Sequence, residues 1–188
     1  MKEPLPFHLV GRLGDAEHAG ILAEVRSQEN RWGISGAAGG GYKRRSLVVT
    51  RSPYWVSGPG VTAAKERAVG TFGFVPALKD RIPVIRGLIG RLQDVFQAAD
   101  FGSVYVSRMA PGGRVGSHRD NGPYYRQYHR CQVCLQAEPE TIFMCDGERL
   151  VMRPGEIWVF DNTRMHSVEH DGEQERIALV VDVRGANC

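Results

Sequence analysis

Long apolar runs are missing from this 188-residue chain: no stretch approaches the ~18 apolar residues a membrane-crossing helix needs. Met1–Gly11 also lacks the apolar core of a secretory signal. Both absences point to a cytoplasmic protein that does not engage a membrane. Cysteine is scarce. Cys131, Cys134, Cys145 and Cys188 show no framework spacing, which excludes a disulfide-stapled scaffold and suits a reducing compartment. An excess of charge is missing too, since 24 Lys and Arg face 21 Asp and Glu for a net +3. The single basic run, Lys43-Arg44-Arg45, has no aromatic platform interleaved with it, which argues against a nucleic-acid partner. No internal repeat and no composition break divides the chain. With 42% hydrophobic residues there is ample material for one core, so residues 1–188 read as one domain. Residues 1–100 would form a supporting layer and residues 101–188 the core that carries the site.

The second half is built of short runs rich in β-branched and aromatic residues, each bounded by Gly, Pro, Asp or Asn. They predict strands at Ser103–Met109, Arg114–His118, Tyr128–Gln136, Thr141–Cys145, Arg149–Met152, Ile157–Phe160, Met165–Glu169 and Arg176–Arg184. Eight short antiparallel strands make a mainly β fold with flanking helices, a double-stranded β-helix or cupin-like jelly roll whose mouth can hold a metal. Ahead of them, Asp15 is expected to cap a helix running to Gln28 with Ile21, Leu22 and Val25 on one face. A second helix over Val84–Ala98 presents a stripe of Ile85, Leu88, Ile89, Leu92, Val95 and Phe96. Between the helices, Gly33–Gly41 reads as a flexible segment, either a lid or an ordinary surface loop. It is followed by a strand over Ser46–Arg51 and an irregular stretch, Pro53–Gly60, that carries Tyr54 and Trp55.

Chemistry concentrates between His118 and Arg176. His118 and Asp120 lie two residues apart, so on a strand both side chains leave by one face. Several strands later the chain supplies His166. Two imidazoles and one carboxylate fill three corners of an octahedron and leave three open, which suits a non-haem iron(II) that must hold a cosubstrate and dioxygen. Zinc would instead take a closed tetrahedral set or keep one open position. Strand parity puts Arg176, Ala178 and Val180 on one face, and Arg130, Gln132 and Cys134 on one face of theirs. The same parity sends Cys131 and Cys134 to opposite sides, so they do not share a metal. His8, His18, His129 and His170 read as structural or surface groups.

These residues carry a family resemblance. The pattern Ser107, Met109-Ala-Pro-Gly-Gly, His118-Arg-Asp120, Arg130-Cys-Gln132, Pro154-Gly-Glu-Ile-Trp-Val-Phe-Asp161-Asn162, His166-Ser-Val-Glu and Arg176-Ile resembles the aspartyl/asparaginyl β-hydroxylases. That family comprises iron(II)- and 2-oxoglutarate-dependent oxygenases. The resemblance implies a metal triad of His118, Asp120 and His166. It also implies that Arg176, helped by Ser107, pairs with the far carboxylate of 2-oxoglutarate, while Arg130 and Gln132 lie near its other end. Animal members carry a histidine where Gln132 stands and lack the metal carboxylate, which this chain keeps as Asp120.

The implied activity is hydroxylation of an amino acid, free, carrier-bound or within a peptide, with iron(II), 2-oxoglutarate and dioxygen. Tyr105, Tyr128, Asn121 and Arg164 are the expected substrate contacts. Two other readings use the same scaffold. One is a non-enzymatic sensor that binds a metal or ligand. The other is a cupin dioxygenase without 2-oxoglutarate, in which Arg176 and Arg130 would share no purpose.

Overall fold

Two amphipathic runs fold as helices and the β-branched, aromatic runs as strands in the computed structural model, which describes residues 6–27, 33–34, 42–46, 48–50, 72–74 and 82–185. The N-terminal part contributes β1 (Phe7–Arg12), α1 (Asp15–Arg26), β2 (Gly33–Ile34), β3 (Tyr42–Ser46), β4 (Val48–Thr50), β5 (Phe72–Phe74) and α2 (Pro83–Phe96). Eight strands follow: β6 (Ala98–Met109), β7 (Arg114–His118), β8 (His129–Gln136), β9 (Thr141–Cys145), β10 (Glu148–Leu150), β11 (Glu156–Phe160), β12 (His166–His170) and β13 (Arg176–Gly185). They make a jelly roll. The larger sheet runs β1-β11-β8-β13-β6-β3-β2, and a four-stranded sheet, β10-β9-β12-β7, faces it. Pairing within both is antiparallel.

Alternation along the strands creates two cores. Cys131, Val133 and Leu135 of β8, with Ile177, Leu179, Val181 and Val183 of β13, turn toward the helices. There they meet Ile85, Leu88, Ile89, Leu92 and Phe96 of α2, and Ile21 and Val25 of α1. Full burial of each such side chain stabilises the fold by roughly 1.5–3 kcal/mol. Cys134, facing the other way, joins Met109, Phe143, Cys145, Met152, Phe160 and Val168 between the sheets. The two helices are tied end to side. Glu24 of α1 accepts the Val84 and Ile85 N–H groups at 2.7 and 2.9 Å, satisfying donors that the first turn of α2 leaves over.

Several expected boundaries move for local reasons. α1 starts from Gly14 without a side-chain cap, so Asp15 is its first residue and favours the helix through the macrodipole. It ends at Arg26, where Ser27 N–H reaches the Ala23 carbonyl at 2.9 Å, short of Gln28. α2 ends at Phe96 because Gln97 turns left-handed at φ 46°, which releases Ala98 into β6. Val95 is 52% exposed: at about 100° per residue it falls on the flank of the stripe formed by its neighbours. Tyr128 precedes β8 and closes a turn, its N–H donating to the Tyr124 carbonyl at 3.2 Å. Strand β10 begins and ends earlier than expected, and β12 one residue later. The expected Ser46–Arg51 strand corresponds to β4, with β3 just before it. Of Gly33–Gly41 only Gly33–Ile34 is described, as β2; the lid expectation and Pro53–Gly60 otherwise lie outside the described residues.

Candidate metal centre

His118 ends β7 and His166 begins β12, and the two are direct partners in the antiparallel ladder. That register brings two histidines distant in sequence to a ring separation of 4.2 Å. The connection into β12 is a turn fixed by Asp161, whose Oδ1 accepts from the Thr163 N–H at 3.0 Å and from its hydroxyl at 2.6 Å. Partial burial would raise the Asp161 pKa, but those bonds and Arg164 hold it below its ordinary value. Asp120 is drawn in by the next residue of that turn. Its N–H donates to the Asn162 carbonyl at 2.9 Å, and its Oδ2 accepts from Asn162 Nδ2 at 3.1 Å. One donor atom from each of His118, Asp120 and His166 then lies within 4.8 Å of the others.

The tautomers follow from the partners. His118 Nδ1 faces the Gly116 carbonyl at 2.8 Å and His166 Nδ1 faces the Arg164 carbonyl at 2.9 Å. A carbonyl only accepts, so in the neutral ring each Nδ1 carries the proton, and Nε2 is the nitrogen with a lone pair for a metal. His166 is buried against Phe143 and Phe160. Burial lowers its pKa, outweighing the bond to the Arg164 carbonyl, so the ring is neutral as a ligand must be. The His118 side chain, in contrast, is 41% exposed. Two imidazole nitrogens and a carboxylate oxygen at this spacing fit iron(II) by donor type and number.

Deeper along the inward face lie Arg176, Gln132 and Ser107, all buried. Arg176 Nη2 donates to Gln132 Oε1 at 2.6 Å, and the Ser107 hydroxyl reaches the Ala178 carbonyl at 3.5 Å. Arg130 is engaged elsewhere. Its Nη1 meets Asp120 Oδ2 at 2.7 Å, and its Nε and Nη2 meet Asp182 at 2.8 and 3.1 Å. Burial would lower the Arg130 pKa, but Asp182, Tyr105 and Asp120 outweigh it and hold the guanidinium charged. Of the expected substrate contacts, Tyr105 is buried close enough to Arg130 to act on that charge. Tyr128 is buried and stacked on Tyr124 at 4.5 Å. Asn121 is exposed, and Arg164 pairs with Asp146 at 3.1 Å and Asp161 at 3.4 Å.

Residues 70–185, more than half of the chain, match the family described as Aspartyl/Asparaginyl beta-hydroxylase. The chain belongs to this family. It is accordingly a 2-oxoglutarate dioxygenase of the hydroxylase type that uses iron(II). No curated protein matches the sequence. Among solved structures it is similar to a prolyl hydroxylase from Trichoplax adhaerens, in complex with a hypoxia inducible factor peptide fragment. That likeness has TM-score 0.66 and 11% identity and covers 96% of this chain and 84% of that one. It is also similar to the viral collagen prolyl hydroxylase of Paramecium Bursaria Chlorella virus-1, with TM-score 0.58 and 14% identity, covering 98% of each chain. A 2OG-Fe(II) oxygenase from Burkholderia pseudomallei aligns at TM-score 0.56 and 17% identity over 88% of this chain and 81% of its own. These likenesses show the shared fold.

For this hydroxylase, sequence reasoning passed over two residues that touch the triad's surroundings. Asn162 is buried and holds Asp120 by side chain and backbone; it stood in the quoted Pro154 to Asn162 stretch without a role. Asp182 is buried against Arg130, and the parity that singled out Arg176, Ala178 and Val180 continues to it. The remaining groups take the structural roles expected. His18 Nε2 bonds the Leu135 carbonyl at 2.7 Å, and buried His170 bonds Thr141 and the Gln174 carbonyl. Cys131, Cys134 and Cys145 form no disulfide, and burial pushes the Cys134 and Cys145 thiols each up to about 11. Among the described residues, no helix is long and apolar enough to cross a membrane.

Proposed function

We propose that this hydroxylase acts on an amino acid, free, carrier-bound or within a peptide, at an iron centre held by His118, Asp120 and His166. The observation that carries this is the spacing of their three donor atoms, all within 4.8 Å of one another, with both Nε2 lone pairs available. Iron(II), when bound, supplies dioxygen activation coupled to the oxidative decarboxylation of 2-oxoglutarate to succinate and carbon dioxide. The chain's own part is positioning.

Arg176, oriented by Gln132, offers its planar fork to the far carboxylate of 2-oxoglutarate, with the Ser107 hydroxyl beside it. Arg130, bonded to Asp120, lies toward the metal end of that cosubstrate, with Gln132 between it and Arg176. Phe143 and Phe160 exclude water from the His166 side, so the substrate carbon approaches from the half-exposed His118 side. Tyr105, Tyr128, Asn121 and Arg164 are the groups we assign to substrate. A small or peptide-borne substrate fits this reading. Two structural neighbours are prolyl hydroxylases, one of them bound to a peptide, which supports including peptides in a screen. We further read residues 1–188 as one domain, working in the cytoplasm without a nucleic-acid or membrane partner.

The test is a mass-based screen of free amino acids and short peptides with iron(II), dioxygen and 2-oxoglutarate. We expect a gain of one oxygen matched by succinate, and loss of both in His118→Ala and His166→Ala. Oxygen gain that persists in either variant would remove the triad.

A further inference from the structure

The two oxygens of Asp120 are not equivalent. Oδ2 accepts from Arg130 Nη1 at 2.7 Å and Asn162 Nδ2 at 3.1 Å, whereas Oδ1 faces His118 Nε2 at 3.8 Å. Arg130 is in turn gripped from behind. Its Nε and Nη2 fork onto the two oxygens of Asp182 at 2.8 and 3.1 Å. The Tyr124 hydroxyl then donates to Asp182 Oδ2 at 2.9 Å and accepts the Ser103 N–H at 2.7 Å. Burial, and then Asp182 itself, raise the Tyr124 pKa well above its ordinary value, so this phenol remains a donor.

Asp182 is only 1% exposed, and a carboxylate so deep costs more desolvation than its ion pair need return. A pair of apolar side chains would stabilise the same place at least as well. What apolar side chains could not do is hold the guanidinium's orientation. With Nε and Nη2 committed to Asp182, only Nη1 points at Asp120, and one carboxylate oxygen is left for the metal.

We propose that Asp182 is a positioning residue for the metal centre: through Arg130 it fixes which oxygen of Asp120 faces the metal. This rests on the reading of His118, Asp120 and His166 as ligands. Without Asp182, Arg130 is free to turn its fork onto both oxygens of Asp120 and compete with the cation for them.

The test is a double-mutant cycle read by cobalt(II) affinity, using metal-free full-length protein, titration calorimetry and the cobalt absorption spectrum. Asp182→Asn should weaken cobalt(II) binding by about 10- to 100-fold in the wild-type background. The same change in an Asp120→Ala background should cost less than about 3-fold, because the group through which it acts is gone. Equal losses in the two backgrounds would mean a general structural role and overturn the proposal, as would no loss in either. Should thermal melting show Asp182→Asn unfolded, Tyr124→Phe carries the same cycle, with a loss of roughly 3- to 10-fold confined to the wild-type background. Absence of that loss overturns the proposal as well. If Asp120→Ala and His118→Ala keep wild-type affinity, the ligand reading fails and this inference falls with it. If they lose affinity while Asp182→Asn and Tyr124→Phe do not, only the inference falls.

Discussion

Arg176 donates to the side-chain oxygen of Gln132 across 2.6 Å of buried interior. The bond joins β13 to β8 on the inward face, where a histidine would stand in animal relatives. Glutamine offers an oxygen that accepts from a guanidinium, which a positively charged imidazole would not. One edge of the Arg176 fork is thereby fixed before any cosubstrate arrives.

A cosubstrate anchored by such a charge-assisted pair gains about 1.5 to 3 kcal/mol, so Arg176→Ala should weaken 2-oxoglutarate binding by roughly 10- to 150-fold. Arg176→Lys should also bind weakly, since an ammonium cannot reproduce the fork. Gln132→Met should weaken binding less, because the guanidinium remains and only its bond to Gln132 is lost. Titrating 2-oxoglutarate into anaerobic iron-loaded protein and following its charge-transfer absorbance reads all three. An unchanged dissociation constant in the alanine variant would return Arg176 to a structural role.

The two histidines of the triad should separate in stability while agreeing in metal binding. The His118 ring is half-exposed, so His118→Ala should change unfolding free energy by less than about 0.5 kcal/mol. His166 is buried against Phe143 and Phe160, so His166→Ala should cost roughly 1–3 kcal/mol. Both should lose cobalt(II) binding by calorimetry. Equal stability losses in urea unfolding would contradict the burial difference.

Much of this is legible in the sequence itself, and the reasons are physical. Period-two alternation placed Arg176, Ala178 and Val180 together, and it separated Cys131 from Cys134; their sulfurs do lie in different cores. Eight short strands between breakers likewise sufficed for the jelly roll. Asp182 escaped notice because it lies inside an apolar run, Ile177–Val183, and nothing local marks its partner Arg130 as fifty-two residues away. The sequence places Arg130 near the cosubstrate but does not show its two carboxylate partners: the β8–β13 register sets Asp182 opposite it, and the turn at Asn162 holds Asp120 beside it. Strand β1 was also missed: its burial is partial, and pairing with β11 rather than its own pattern makes it a strand.

Cys134 makes stability sensitive to alkali. Its thiol pKa is pushed up to about 11 by burial, above the unfolded value of about 8.5. A group with a raised folded pKa contributes stability that is complete below its unfolded pKa and is lost as pH rises toward the folded one. The protein should therefore lose up to about 3 kcal/mol between pH of about 8.5 and 11 from this thiol. Cys134→Ala should shrink the difference between urea unfolding curves taken at those two pH values. The same burial predicts that iodoacetamide labels Cys134 slowly in the native protein at about pH 8. An alkaline loss unchanged in Cys134→Ala would assign it to other groups.

Gly102 leaves room for the hydroxyl that holds Asp182. A Cβ at Gly102 would stand 2.0 Å from the Tyr124 oxygen and 2.8 Å from its Cζ, so one of them must move. Tyr124 has little freedom to do so. Its ring is stacked on Tyr128 at 4.5 Å and meets Tyr125 edge-on at 5.0 Å, and its hydroxyl is bonded to Ser103 and Asp182. Gly102→Ala should therefore destabilise by about 1–3 kcal/mol, the ordinary cost of overpacking, although alanine is otherwise the better strand residue. In a Tyr124→Ala background the obstruction is gone, and Gly102→Ala should cost almost nothing or stabilise slightly. Tyr124→Phe should relieve only part of the penalty, since removing the oxygen leaves the Cζ contact in place. Urea unfolding of the single and double variants measures these differences. An equal cost of Gly102→Ala in all three backgrounds would mean that the strand itself, and not the tyrosine, requires glycine there.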